Sequence, residues 1–282
     1  MAFLPATPSD LKKAGLVPGE LDAIIVTGDA YVDHSSFGTA ILGRVLKAEG
    51  YRVAVLSRPD PDDAEVFRLF GRPRLAYLVT AGAVDSMVSS YTANKKPRSE
   101  DEYAPGGNRA LCMRADGSIG PGVRDRANAR PDRAVIHYAT MCRQAYKGVR
   151  VVIGGIEASL RRLAHYDWWD NAVRRSVLLD ARADILVYGM GERQILEIAG
   201  RLDRGDDLAG IRGTVIVRKD VASSVGHREI PSYEAVREDK DLFNAAFVET
   251  YRNQDPVRGR AIAQKHGDRF VIQFPPPIPM NS

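Results

Sequence analysis

Five short apolar runs, at residues 23–27, 52–57, 75–80, 150–154 and 184–188, constrain the fold most, because they are mostly continuous rather than alternating. Strands read this way when helices cover both faces of a parallel sheet. Between the first two runs, Phe37, Ile41, Leu42, Val45 and Leu46 fall on one helical face, and Gly50 stands where a C-terminal cap belongs. Residues 62–70, ending in Gly71, form a second, shorter helical segment, and helical periodicity returns over 134–146 and 194–202. Strands alternating with helices require right-handed crossovers. The expected class is α/β: a doubly wound, mostly parallel five-stranded sheet, flavodoxin-like, of order 2-1-3-4-5.

Two segments depart from this rhythm. Residues 92–130 carry Lys95-Lys-Pro97, Pro105-Gly-Gly107, Asp116-Gly117 and Pro121-Gly122, all turn or breaker signals. A loop this long within a compact domain is a functional, partly disordered or docking element. After an edge strand at 214–218 come a charged helix at 233–251, a strand at 269–274 and the run Pro275-Pro-Pro-Ile-Pro279. The reading is one flavodoxin-like domain over 1–220, with the insertion at 92–130, and a helical and extended linker over 221–282.

Net charge of +4 over 282 residues, without a basic stripe interleaved with aromatics, argues against a nucleic-acid partner. No apolar run is long enough to span a bilayer, and the N-terminus lacks a signal-peptide pattern. Cys112 and Cys142 are too few and too far apart for a disulfide framework or a zinc site, and read as free thiols in a reducing cytoplasm.

The chemistry-bearing residues cluster after the strand signals. The first is followed by Gly28, Asp29, Asp33 and His34, the third by Gly82 and Asp85. The fourth is followed by Gly154, Gly155, Glu157 and Ser159, the fifth by Gly191 and Glu192. In open α/β sheets ligands bind outside the carboxyl ends of the strands, so these loops form a candidate rim for a polar or anionic small molecule. Asp33 or Ser35 also suits the cap of the helix beginning near Phe37, and both roles stay open. Neither His34 nor His165 has a second His or Cys at ligand spacing, so no metal site is expected. A Gly-x-Gly-x-x-Gly fingerprint and a P-loop are both missing. The run from Ile153 to Trp169 then concentrates Arg161, Arg162, Trp168 and Trp169, residue types that anchor interfaces, and these four are expected to meet a neighbouring domain.

Longer motifs carry a resemblance. They are Val26-Thr-Gly-Asp-Ala-Tyr-Val-Asp-His34, Tyr91-Thr-Ala-Asn-Lys-Lys96, Arg130-Pro-Asp-Arg-Ala134, Gly154-Gly-Ile-Glu-Ala-Ser-Leu-Arg-Arg162, His165-Tyr-Asp-Trp168 and Ala183-Asp-Ile-Leu-Val-Tyr-Gly-Met-Gly-Glu-Arg193. With them the chain resembles, over nearly its whole length, the N-terminal part of the YgiQ-like (UPF0313) radical SAM proteins. The resemblance implies a 4Fe-4S cluster and S-adenosylmethionine in the full-length protein. A radical SAM site needs Cys-x-x-x-Cys-x-x-Cys, and the two cysteines here stand thirty positions apart. The core domain is therefore expected elsewhere, in the same gene or in a split partner chain, and no catalytic residue is assigned to this chain. The resemblance also implies a cobalamin-binding-like form of the doubly wound sheet, so cobalamin is a further cofactor to consider. The Asp-x-His-x-x-Gly pattern is not kept, since Asp33 and His34 are adjacent and Gly38 lies one position further from His34 than the pattern allows. Three functions follow: an accessory domain governing substrate or corrinoid access, a free-standing flavodoxin-like small-molecule binding protein, or a protein-docking module.

Overall fold

The computed structural model describes residues 3–31, 37–124, 126–221 and 226–279. The chain divides into two compact units, residues 1–157 and 158–282. In the first, α1 (Pro8–Lys13) precedes β1 (Ala23–Thr27), α2 (Phe37–Ala48), β2 (Val53–Ser57), a single 3₁₀ turn (Ala64–Arg68) and β3 (Ala76–Thr80). There follow α3 (Ser86–Ser90), the short hairpin of β4 (Leu111–Met113) and β5 (Ile119–Pro121), α4 (Ala134–Ala145), β6 (Val151–Gly154) and α5 (Gly155–Leu160), whose first turn closes the unit. Strands β2, β1, β3 and β6 lie side by side in that order, and every pairing is parallel. Their continuous apolar runs are buried because both faces are covered.

Alternation along the strands shows which helix covers which face. Gly43 of α2 lies so close to Leu4 and Ile25 that an added Cβ would stand 2.2 Å from the former and 3.2 Å from the latter. The Tyr77 hydroxyl donates to Phe67 O, and Phe67 meets Tyr138 of α4 at 6.2 Å between ring centroids. Ile25 pairs in register with Leu78, the neighbour of Tyr77, so α2 and α4 sit on opposite faces. This is the doubly wound arrangement. One detail differs from the sequence reading: α2 buries Thr39, Gly43 and Leu46, while Phe37 and Ile41 are exposed. Close approach through the glycine turns the helix so that its small residues face the sheet.

The second unit opens with the hairpin of β7 (His165–Asp167) and β8 (Ala172–Arg174), then α6 (Val177–Asp180), β9 (Ile185–Val187), α7 (Glu192–Arg204) and β10 (Thr214–Arg218). It continues with β11 (Arg228–Ile230), α8 (Tyr233–Glu238), α9 (Lys240–Arg252), β12 (Ile262–His266) and β13 (Arg269–Gln273). Its strands run β11-β12-β13-β10-β9, parallel at the first contact and antiparallel at the other three. Residues 228–273, expected as a linker, thus supply three strands, and the compact units divide at Glu157 rather than at residue 220. The fifth predicted strand, β9, belongs to this second unit.

Candidate functional site

The parallel strands of the first unit end flush: Thr27 pairs with Ser57 and Thr80, and Thr80 with Gly154. Gly28, Gly82 and Gly155 therefore lie along one rim, as their positions after strands require. What they approach is the protein itself. A Cβ on Gly28 would stand 2.2 Å from Ala81 O and 2.7 Å from an Arg130 nitrogen. One on Gly82, at φ +118°, would meet Asp29 Oδ1 at 2.1 Å, and one on Gly155, at φ +82°, the Thr80 hydroxyl at 2.4 Å. The glycines make room for loop-to-loop packing.

That packing surrounds a buried cluster of two arginines and two aspartates. Arg130 donates to Asp29 Oδ1 at 2.8 Å, to Asp101 Oδ2 at 3.2 Å and to Ala81 O at 2.5 Å. Arg58 donates to Asp101 Oδ2 at 2.8 Å, to Gly28 O at 3.1 Å, and to the carbonyls of Leu111 and Arg109 at 2.9 Å each. Asp29 also accepts from Ala83 N at 2.6 Å, and Asp101 from Tyr103 N at 3.0 Å. Burial pushes the Asp101 carboxyl up, but Arg130 and Arg58 outweigh it and hold it below the usual carboxylate range. The cluster pins the insertion to the carboxyl ends of β1, β2 and β3. Backbone bonds add to it, from Ala30 N to Tyr103 O at 2.9 Å and from Met113 N to Arg58 O at 2.8 Å. Residues 92–130 are thus a fastened cover with its own hairpin.

Glu157, also expected to face a ligand, is buried between two helix starts. Its Oε2 accepts from Ser86 N and its Oε1 from Val135 N, both at 2.9 Å. The N-cap residue of α4, Arg133, has φ +50° and no capping side chain. Glu157 and the Ser86 hydroxyl, which accepts from Ala134 N at 3.1 Å, supply the missing acceptors. Asp85 is the N-cap of α3, accepting from Met87 N and Val88 N. Asp29, Asp85 and Glu157 are therefore engaged internally, because each answers a cation or an orphan amide in a place closed to water. Asp33 and His34 lie outside the described residues. Gly154 and Ser159 are half-buried at either end of α5. Gly191 and Glu192 start α7 in the second unit, both half-buried.

Of the four expected interface residues, Arg162 is committed within its own unit. It donates to Gln273 Oε1 at 2.6 Å and to Ser159 O at 2.5 Å, and lies 4.9 Å from the Tyr188 ring centroid. Burial pulls its guanidinium below the ordinary arginine value. Arg161 is half-buried. Trp168 and Trp169 are half-buried and meet edge to face, with centroids 5.5 Å apart.

The second unit also holds a cleft of about 320 Å³ that sequence reasoning did not find. It is lined by Leu160, Arg162, Leu163, His165 and Tyr166 and by Ile230, Val236, Phe243 and Phe247. Its polar side chains already have partners. Gln264 accepts from Ala164 N and donates to Pro231 O, and Thr250 donates to Ala246 O. Burial lowers His165 to about 4, so its ring is neutral near pH 7. The overlooked signal was Phe243, Phe247 and Tyr251 at four-residue spacing in a helix read only as charged.

No described helix is long and apolar enough to cross a membrane. Cys112 and Cys142 are buried on β4 and α4, and burial pushes the Cys112 thiol up to about 11 and Cys142 well above its ordinary value. Two protonated thiols on separate elements do not fit a 4Fe-4S cluster, and among the described residues no three His, Cys, Asp or Glu are grouped to hold a metal.

Comparison with known proteins agrees with the longer motifs. A UPF0313 protein of Clostridium botulinum (strain Kyoto / Type A2) is 46% identical over 284 residues, spanning 100% of this chain and 41% of the relative. Its counterpart in Geobacter sulfurreducens is 45% identical, with 99% and 44% covered, and that of Methanocella arvoryzae 44%, with 98% and 43% covered. The chain thus spans about two-fifths of the length of the curated relatives it matches. Among solved structures, the radical S-adenosylmethionine methyltransferase TsrM from Kitasatospora setae aligns at TM-score 0.42 and 20% identity, over 69% of this chain and 28% of that one. The family model described as "Radical SAM N-terminal" matches residues 3–282, and the chain belongs to that family, as an N-terminal part of a UPF0313 protein.

Proposed function

We propose that this region is an accessory domain of a radical SAM iron–sulfur enzyme, governing access of substrate to a cluster and S-adenosylmethionine held by the rest of the longer polypeptide, and that it is not catalytic by itself. The donor set carries the reading: the family match runs from residue 3 to 282, yet this stretch offers only two buried thiols. A radical SAM cluster takes three cysteine ligands at short spacing. The rim at the carboxyl ends of β1, β2 and β3 supports a structural part in that role, since the insertion already covers it and its described carboxylates Asp29, Asp85 and Glu157 are engaged.

Anaerobic reconstitution with iron and sulfide tests this. The full-length polypeptide should develop the broad visible absorbance of a 4Fe-4S centre and cleave S-adenosylmethionine reductively, while the 282-residue chain does neither. A stoichiometric cluster on this chain alone, with cleavage, would overturn the proposal. A small molecule retained stoichiometrically through purification of the isolated chain would favour a free-standing binding protein instead.

A further inference from the structure

The last long helix is poorly covered for its composition. Helix α9 has thirteen residues, of which only Ala246 is buried. Most helical stability in proteins comes from packing an apolar face, so an apolar stripe left in water signals a missing neighbour. On α9 that stripe is Phe247, 64% exposed, and Tyr251, 73% exposed, one turn apart. Leu160 and Tyr166, 65% and 52% exposed, line the 320 Å³ cleft together with Phe247. Gln264, Thr250 and Arg162 inside are already bonded, and most of the remaining lining is apolar, so the cleft suits apolar side chains.

The course of the chain indicates what covers this surface. Arg212 donates to Pro276 O at 3.0 Å and, through its other nitrogen, to Pro256 O, just past the end of α9. Gly213 N donates to Pro275 O at 2.7 Å, fastening the same strip. Pro276 is therefore joined through one arginine to the segment just past α9, where Val257 is also exposed. Polypeptide tethered there is held at high effective concentration over the stripe. Relatives extend well beyond the matched two-fifths.

We infer that the α9 stripe and the cleft beside it are the docking surface for the polypeptide that follows the proline run in the full-length protein, which inserts apolar side chains between Phe247 and Tyr166. The inference rests on the accessory-domain reading; Arg162, which also lines the cleft, is tied to Gln273 and Ser159.

Photo-crosslinking in the full-length polypeptide, with p-benzoylphenylalanine placed singly at Phe247, Tyr251, Trp169 or Met190, tests it. Probes at 247 and 251 should link within one molecule to residues beyond 282. If 247 and 251 link to nothing or only to a second copy, while 169 or 190 reaches beyond 282, the docking surface is wrong and the accessory reading stands. If no probe reaches beyond 282, both fall. As a second measurement, Phe247→Asp changes an exposed side chain and should leave this region's own melting unchanged. It should speed proteolytic cleavage at residues 275–282 of the full-length protein on the order of tenfold, by raising the undocked population. An unchanged cleavage rate would overturn the inference.

Discussion

Replacing Arg130 by Met tests whether the buried cluster holds the first unit together. The guanidinium is fully enclosed and contacts Asp29 at 2.8 Å, Asp101 at 3.2 Å and Ala81 O at 2.5 Å. Met fills much of the volume, so the loss is electrostatic. Asp101 keeps Arg58 at 2.8 Å, but among the described residues Asp29 keeps the amide of Ala83 alone. Removing one partner of a buried pair costs about 3–5 kcal/mol, mainly through the stranded charge. The carbonyl left without its donor adds about 1 kcal/mol. Against a domain stability of roughly 5–15 kcal/mol, that is a large fraction. Urea unfolding followed by far-ultraviolet circular dichroism should show the loss, and protease should cut within 92–130 more readily. Adding Asp29→Asn to Arg130→Met removes the stranded charge and should restore at least about 1 kcal/mol of the deficit. A single-variant cost below about 1 kcal/mol, or a double variant as unstable as the two singles summed, would refute the reasoning.

Glu157→Gln turns an amide towards one of the two N–H groups the carboxylate accepts from, and should cost about 2–3 kcal/mol, with faster hydrogen exchange at Ser86 and Val135; unchanged exchange would show that the caps are dispensable. Gly82→Ala should be far more damaging than Gly15→Ala. Both have positive φ, but only at Gly82 would the new methyl strike a neighbour, Asp29 at 2.1 Å, so equal effects on melting temperature would mean that backbone strain alone matters. Burial lowers His266 from 6.5 to about 4, so the unfolded chain takes up that proton first. The stabilisation is fully present above pH 6.5 and drains as pH falls towards 4, by up to about 3 kcal/mol. Both tryptophans lie in the second unit, so the urea midpoint of their emission should drop over that window, and His266→Phe should lessen the slope, with His165 contributing the remainder. An unchanged slope would place the acid sensitivity elsewhere.

The predicted strand at 23–27 coincides with β1, and those at 52–57, 75–80, 150–154 and 184–188 contain β2, β3, β6 and β9. Continuous β-branched and aliphatic runs bounded by Gly and Arg have few other uses in a chain of this size. The short hairpins β4–β5 and β7–β8 went unread because three-residue strands show no periodicity, although Asp116-Gly117 marked the turn of the first. The rim was legible as a place, but the engagement of its residues was not. Asp29 and Arg130 are 101 positions apart, and Glu157 and Ser86 are 71 apart. No local pattern relates such pairs, so a carboxylate after a glycine turn looks the same whether it awaits a ligand or already holds an arginine. The aromatics of α9 are hard to read in sequence because the dense charge of residues 234–241 masks their spacing.

Glu157 is the last residue of the first unit, and it closes the N-termini of two helices that begin at Ser86 and Ala134. On the ribosome, where domains form as the chain emerges from its N-terminal end, this gives synthesis of the unit a terminal step. Until residue 157 has cleared the exit tunnel, the buried starts of α3 and α4 each lack an acceptor, however complete the sheet. In a nascent chain stalled a few residues short of that point, the amides of Ser86 and Val135 should exchange faster than in one stalled after residue 157 has emerged.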